Sequence, residues 1–299
     1  MKNNILITGG NGLVGKTLQK YLPEGIYISS KDYDLRKESE IIKMYEKYKP
    51  KIVIHLAAKV GGIMDNILHP ADFFTDNVLM NTLLVDYAKK YDVNRFIGIL
   101  STCIYPDKVD NYPLTEDMIF LGPPPETNFS YAYAKRSLAV QIESYNKQYG
   151  TKYQYLIPCN LYGENDKEDV IKSHFITSLL YKIKKAKINN EDFITIYGDG
   201  TPLRQFMYVD DLCKIIKMTI EEEVYDSFNV TCDENYSIKE MVDIALDSCG
   251  SKDLKVIYDK DKPNGQHRKD ASNGKLKKIF PDFNFTKLKD GIKNVYNKI

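Results

Sequence analysis

Tyr131 and Lys135 stand four residues apart in "SYAYAKRS", and residues at that spacing share one face of a helix. A phenol with a pKa near 10 is about three units too weak an acid at neutral pH, a cost of roughly 4 kcal/mol. An ammonium beside it lowers that cost and makes Tyr131 a usable proton donor to a carbonyl oxygen. Upstream, "STCIYP" (101–106) follows the apolar run "RFIGIL". Two residues apart on a strand, Ser101 and Cys103 would face the same side. They are either a hydroxyl and a thiol turned to one site, or two small residues filling a tight layer. With 23 tyrosines in the chain, YxxxK by itself is weak evidence.

The elements that must position these groups alternate. Strand patterns at 4–8, 26–29, 52–56, 95–100 and 153–158 are separated by helical patterns near 13–21, 38–48, 70–91 and 130–149. That order implies βαβ units and a doubly wound parallel sheet of the Rossmann kind, helices on both faces. The second half carries a Lys-rich amphipathic segment (172–187), a strand (193–197), the turn "GDGTP" and helices near 209–223, 237–249 and 286–297. We expect a nucleotide-binding domain over 1–160, to which part of 195–232 returns, and a smaller C-terminal α/β substrate lobe over 161–299. The lobe forms one wall of a cleft.

"NILITGGNGLVGKTLQKYL" puts Gly9, Gly10, Gly12 and Gly15 between the first strand and an amphipathic helix. Glycines let the backbone turn tightly and approach a pyrophosphate at the helix N-terminus. The end of the second strand reads "ISSKDYDL", with Ser29, Ser30 and Lys31 where NAD sites place a carboxylate. Hydroxyls and a lysine suit a 2′-phosphate, which favours NADP. A solvated Lys31, with Asp32 close by, keeps NAD open.

Composition narrows the partners. The chain has 299 residues, 43% of them hydrophobic, enough for one large core or two modest domains. Lys+Arg 42 against Asp+Glu 41 gives a net charge of +1, with no block of one sign, so neither nucleic acid nor membrane is expected. The N-terminus lacks the h-region of a signal peptide, and no run of about 18 apolar residues offers a membrane span. Five scattered cysteines without CxxC spacing point to a reducing, cytoplasmic setting and to no metal site. Cys159, Cys213, Cys232 and Cys249 are expected to pack in the core.

The glycine loop, "HLAA" after the third strand, Ser101 and YxxxK some 30 residues later resemble the extended short-chain dehydrogenase/reductases. That resemblance implies Ser101, Tyr131 and Lys135 as catalytic residues. It implies a cofactor site from Gly9, Gly10, Asn11, Gly12, Leu13, Val14 and Gly15, joined by Ser30, Lys31, Asp34, Leu35, Ala57, Ala58, Tyr131 and Lys135. Across nearly the whole chain, "HLAAKVGGI", "STCIYP", "YAKR", "NLYGEND", "SHFI", "YGDGTPLRQF" and "KPNGQHRK" resemble the GDP-L-fucose synthases. These are NADPH-dependent 3,5-epimerase-4-reductases of GDP-4-keto-6-deoxy-mannose.

The finer resemblance adds Cys103 and His174 as the epimerising pair. A C4 ketone acidifies the sugar C3 and C5 protons, and inversion needs two groups on opposite faces. A thiol near pKa 8.5 and an imidazole near 6.5 suit these tasks. By its position at a helix start, His174 would otherwise read as structural or exposed. The resemblance assigns Tyr197, Arg204, Arg268 and Lys269 to the GDP-sugar, Tyr197 standing where some relatives have tryptophan; Lys182, one or two helix turns beyond His174, is placed to reach the phosphates. It also implies a homodimer through the helices at 70–91 and 130–149. Asn11 and the segment 167–172, "KEDVIK", depart from the commoner forms of the group. Three alternatives remain: a related GDP-4-keto sugar such as a heptose, with or without epimerisation; an NAD-retaining nucleotide-sugar epimerase or dehydratase; and a non-catalytic NADP-binding regulator.

Overall fold

The computed structural model describes residues 4–166, 174–262 and 264–299. The segment "KEDVIK", Ser173 and Pro263 lie outside them. The first half runs β1 (Ile5–Thr8), α1 (Leu13–Leu18), β2 (Ile26–Ile28), α2 (Glu38–Tyr48), β3 (Ile52–His55), α3 (Ile63–Leu68), α4 (Pro70–Lys90), β4 (Arg95–Ile99), α5 (Phe129–Tyr149) and β5 (Lys152–Pro158). The second half runs β6 (Asn160–Tyr162), α6 (Phe175–Asn189), β7 (Phe193–Tyr197), β8 (Leu203–Arg204), β9 (Phe206–Tyr208), α7 (Val209–Glu221) and β10 (Phe228–Val230). It ends with β11 (Tyr236–Ser237), α8 (Ile238–Ser248), β12 (Lys255–Asp259), α9 (Gly274–Ile279) and α10 (Leu288–Tyr296).

Six parallel strands form the main sheet in the order β10-β5-β4-β3-β1-β2. β3 and β4 are buried along their whole length, as strands covered on both faces must be. One face packs Leu6, Val53, Phe96 and Tyr153 under α2, α4 and α5. The other packs Ile7, Ile54, Ile97 and Leu156 under α1 and α7. Each such side chain contributes about 1.5–3 kcal/mol by leaving water. A third core joins α6, α8 and α10 to β7 and β9 in the C-terminal lobe.

The sheet order reverses between β1 and β3, and open α/β sheets bind ligands beyond the carboxyl ends of strands at such a point. The two long helices α4 and α5 lie side by side on one face, and α5 stops at Gly150, whose φ is +65°. The short strands β6, β8, β9, β11 and β12 and the helices α3 and α9 were not legible in the sequence pattern. They are two to six residues long. Chain 209–230 packs α7 and β10 back onto the main sheet. No described helix is long and apolar enough to cross a membrane.

Candidate active site

β4 ends at Ile99, and Thr102–Ile104 form a single 3-10 turn. Ser101 caps it, its Oγ accepting from the Cys103 N–H at 3.3 Å. The Ser101 hydroxyl is therefore joined to the Cys103 backbone by a cap, and the two residues are not related by the strand alternation expected from sequence. The hydroxyl satisfies an N–H that the start of a turn leaves without a backbone partner.

Helix α5 is fastened to both sides of this turn. Lys135 Nζ donates to the Ile99 carbonyl at 2.8 Å. Arg136, also buried, donates through Nε to the Ile104 carbonyl at 2.6 Å and through Nη1 to Gly122 at 2.8 Å. Beneath them a buried chain of hydrogen bonds runs from Thr8 to His55 (2.8 Å), to Asn81 (2.9 Å) and on to the Ala134 carbonyl (3.1 Å). The carboxyl ends of β1 and β3 are thus tied to the middle of the Tyr131–Lys135 segment.

Burial lowers the Lys135 ammonium to about 8. The Tyr131 phenol moves the other way: burial raises it, and the neighbouring Cys103 adds to the rise. The lowering expected from Lys135 does not win here. The ammonium lies 5.9 Å from the tyrosine ring centre and already serves the Ile99 carbonyl. For Cys103, burial pushes the thiol up, but Lys269, the Ser101 hydroxyl and Arg204 together outweigh it and bring the thiol below its ordinary value.

His174 is the N-cap residue of α6, and its side chain makes no cap hydrogen bond. Asp166 accepts from the His174 backbone N–H at 2.9 Å and lies 3.1 Å from Nδ1 through each of its oxygens. The loop bearing Asp166 is itself pinned: Asn165 donates to Thr17 Oγ1 at 3.1 Å, and Glu164 accepts from Tyr208 and Lys298.

The glycine loop lies where β1 meets β3. Gly9 has φ +75°, and a Cβ on it would lie 2.8 Å from the Ala57 nitrogen; one on Gly15 would lie 2.4 Å from the Gly9 carbonyl. Only bare backbone closes this turn; Gly10 and Leu13 are buried behind it, and Gly12 and Val14 stand on the side that a pyrophosphate can approach. Asn11 is exposed at the tip, and Ala57 and Ala58 follow just beyond β3. After β2, Asp32 accepts from Ser29 N and Oγ, each at 2.8 Å, which turns that carboxylate into its own loop. Ser30 and Lys31 remain exposed, and Leu35 is buried. Asp34 is held near 2 by Arg36, first through a side-chain hydrogen bond.

The cations assigned to the sugar nucleotide have unequal freedom. Lys182 donates to the Thr195 carbonyl at 2.8 Å and lies 5.3 Å from the centre of the exposed Tyr197 ring. Arg204 donates to the Leu203 carbonyl, and burial lowers it to about 10. Arg268 is held by Asp270 at 2.5 and 3.0 Å and stacks over Tyr112. Lys269 reaches the Cys103 sulfur at 3.6 Å.

The model of the family described as NAD dependent epimerase/dehydratase matches residues 5–231. The chain belongs to that family. Within it, the chain is 39% identical to a GDP-L-fucose synthase of Dictyostelium discoideum, covering 98% of this chain and 93% of that protein. It is 37% identical to a GDP-L-colitose synthase of Yersinia pseudotuberculosis, covering 90% and 89%. The crystal structure of a GDP-L-fucose synthetase from Naegleria fowleri bound to NADP superposes with a TM-score of 0.88 at 32% identity, covering 100% of this chain and 94% of that one.

As a member of the epimerase/dehydratase family, the chain shows site features that its motifs did not reveal. Arg36 follows β2 and bonds Asp34 and Asp76, at 2.8 to 3.1 Å. A guanidinium has more donors than these bonds use. Its signal was a cation beyond the hydroxyls of "ISSKDYDLR". Asp166 and Arg136 gave no signal of their own, although both lie inside quoted motifs.

Proposed function

We propose that this enzyme epimerises C3 and C5 of a GDP-4-keto-6-deoxy-mannose-type sugar and reduces C4 with NADPH, giving GDP-L-fucose or a close analogue. One observation carries the reading. Cys103, a thiol drawn below its ordinary pKa, shares the turn of Ser101 beside the Tyr131–Lys135 helix. Reduction alone has no use for such a thiol.

In the proposed sequence Cys103 takes a proton from C3 or C5, and the C–H electron pair moves into an enolate at the C4 carbonyl. His174, on the other wall, returns a proton from the opposite face. Ser101 and Tyr131 hold the C4 oxygen, and Tyr131 gives it the proton it needs on reduction. Lys135 orients the phenol and the ribose. NADPH, when bound, supplies the hydride to C4. The glycine loop, Ala57, Ala58, Ser30, Lys31, Asp34, Leu35 and Arg36 are its proposed holders. Lys182, Tyr197 and Arg204 are those of the GDP moiety.

We divide the chain near residue 160, with 209–230 returned to the cofactor lobe. The five unpaired cysteines suit a cytoplasmic setting. Exposed Phe74, Leu79, Val140 and Tyr149 along α4 and α5 suit a homodimer. Light scattering tests that part: twice 34.5 kDa is expected, and a monomer at micromolar concentration overturns it.

The activity is tested by mixing the enzyme with NADPH and a panel of GDP-4-keto sugars in deuterated water. Loss of NADPH absorbance with deuterium at C3 or C5 of the product is expected. Reduction without label makes the protein a reductase only, and label without net NADPH use makes it an epimerase that retains its cofactor.

A further inference from the structure

We propose that Lys269 is the positioning residue that holds Cys103 as a thiolate ready to abstract a proton. This assigns the ammonium a task at the reacting carbons instead of at the diphosphate, and it rests on the epimerase reading above. The observation behind it is that Lys269 Nζ lies 3.6 Å from Cys103 Sγ, although the two residues are 166 positions apart. Its neighbour Arg268 shows why the contact is specific. Leu203 pairs with Arg268 in an isolated parallel bridge, so successive side chains point to opposite sides. Arg268 turns to Asp270 and Tyr112, where its charge is neutralised, and Lys269 turns inward to the thiol.

The groups facing the sulfur are Lys269 and Arg204, the Ser101 hydroxyl and the Tyr131 phenol. Burial opposes a charged sulfur, and the two cations and the hydroxyl oppose burial. Arg204 already bonds the Leu203 carbonyl at 2.7 Å, and its effect on the sulfur comes through its charge. Lys269 supplies both a charge and a direct N–H···S contact. In the resting enzyme the thiol proton has gone to solvent. In the step itself the sulfur lone pair takes the carbon-bound proton, and Lys269 stays an ammonium throughout. Pairing makes the thiolate abundant at neutral pH while weakening it as a base, and a base works best when its pKa lies near the working pH. A cation held against a partly desolvated sulfur is a way to reach that compromise.

The test reads the sulfur directly. Full-length enzyme is alkylated with iodoacetamide across pH 5.5–10 (a range chosen to span the free-thiol value of about 8.5), and the Cys103 peptide is followed by mass spectrometry. Wild type should show a midpoint below that free-thiol value. Lys269→Met should raise the midpoint by about one unit, slowing Cys103 alkylation roughly tenfold at pH 7, and Lys269→Arg should keep it low. Cys159, Cys213, Cys232 and Cys249 are buried, so their continued protection reports that each variant is folded. A wild-type midpoint at or above the free-thiol value overturns the proposal even if Lys269→Met fails to fold. So does a folded Lys269→Met with an unmoved midpoint, the behaviour of a lysine that only binds phosphate and whose loss only raises KM. No sugar is needed, so a low midpoint that depends on Lys269, in an enzyme that turns over no GDP-4-keto sugar, rejects the epimerase reading and leaves the pairing intact.

Discussion

Asp166 grips His174 twice, through the backbone N–H at 2.9 Å and through Nδ1 at 3.1 Å. An ionised carboxylate only accepts, so in the proposed mechanism this contact selects the tautomer with its hydrogen on Nδ1 and leaves Nε2 for the sugar. Replacing Asp166 by Asn offers the ring a donor as well as an acceptor and frees the other tautomer. Asp166→Asn should slow deuterium entry on the His174 face about tenfold or more, with KM for the sugar nucleotide little changed. Equal kcat in the variant and wild type would leave Asp166 as a helix cap alone.

Tyr131→Phe removes the proton donor to the C4 oxygen. Reduction should fall about 10²–10⁴-fold, with NADPH binding nearly unaltered in a fluorescence titration. Because burial holds the phenol proton on, the acid form persists, and wild-type reduction should not decline through Tyr131 ionisation below pH 10. A falling limb between pH 7 and 9 that disappears in Tyr131→Phe would contradict this.

Cofactor choice should follow the loop after β2. Asp32 is turned inward to Ser29, and Arg36 has donors to offer beside Ser30 and Lys31. NADPH should give a higher kcat/KM than NADH, and Arg36→Ala should cut the NADPH value about tenfold while sparing NADH. Steady-state kinetics with both cofactors decide it; a wild-type preference for NADH rejects the assignment.

Acid should loosen the fold through His55. Burial first, then the Lys135 charge, lowers this imidazole to about 3, against the opposing hydrogen bond to Asn81. Between pH 6.5 and about 3 the unfolded chain therefore binds a proton that the folded chain refuses, so stability falls as pH falls, by about 1.4 kcal/mol per unit from this group. Urea midpoints should drop between pH 6.5 and about 5.5, above the range in which the paired carboxylates contribute. His55→Asn should flatten that slope; an unchanged slope would show that another group carries it.

Much of the protein was determined by local spacing. The alternation of strand and helix, the glycine loop and the four-residue step from Tyr131 to Lys135 are consequences of periods of two and 3.6 residues. They therefore survive in the one-dimensional sequence. Helices α4 and α5 and strand β7 fall where those periods put them.

The three-dimensional packing decided what those periods cannot encode. It joined Ser101 to the Cys103 backbone through a cap rather than a pleat, and it paired Arg268 with Asp270. It raised the Tyr131 phenol where sequence reasoning expected a fall. It also brought Lys269 to Cys103 across 166 residues. Such outcomes depend on how two lobes meet and on how much water each group loses, and both are properties of the assembled volume rather than of neighbours along the chain.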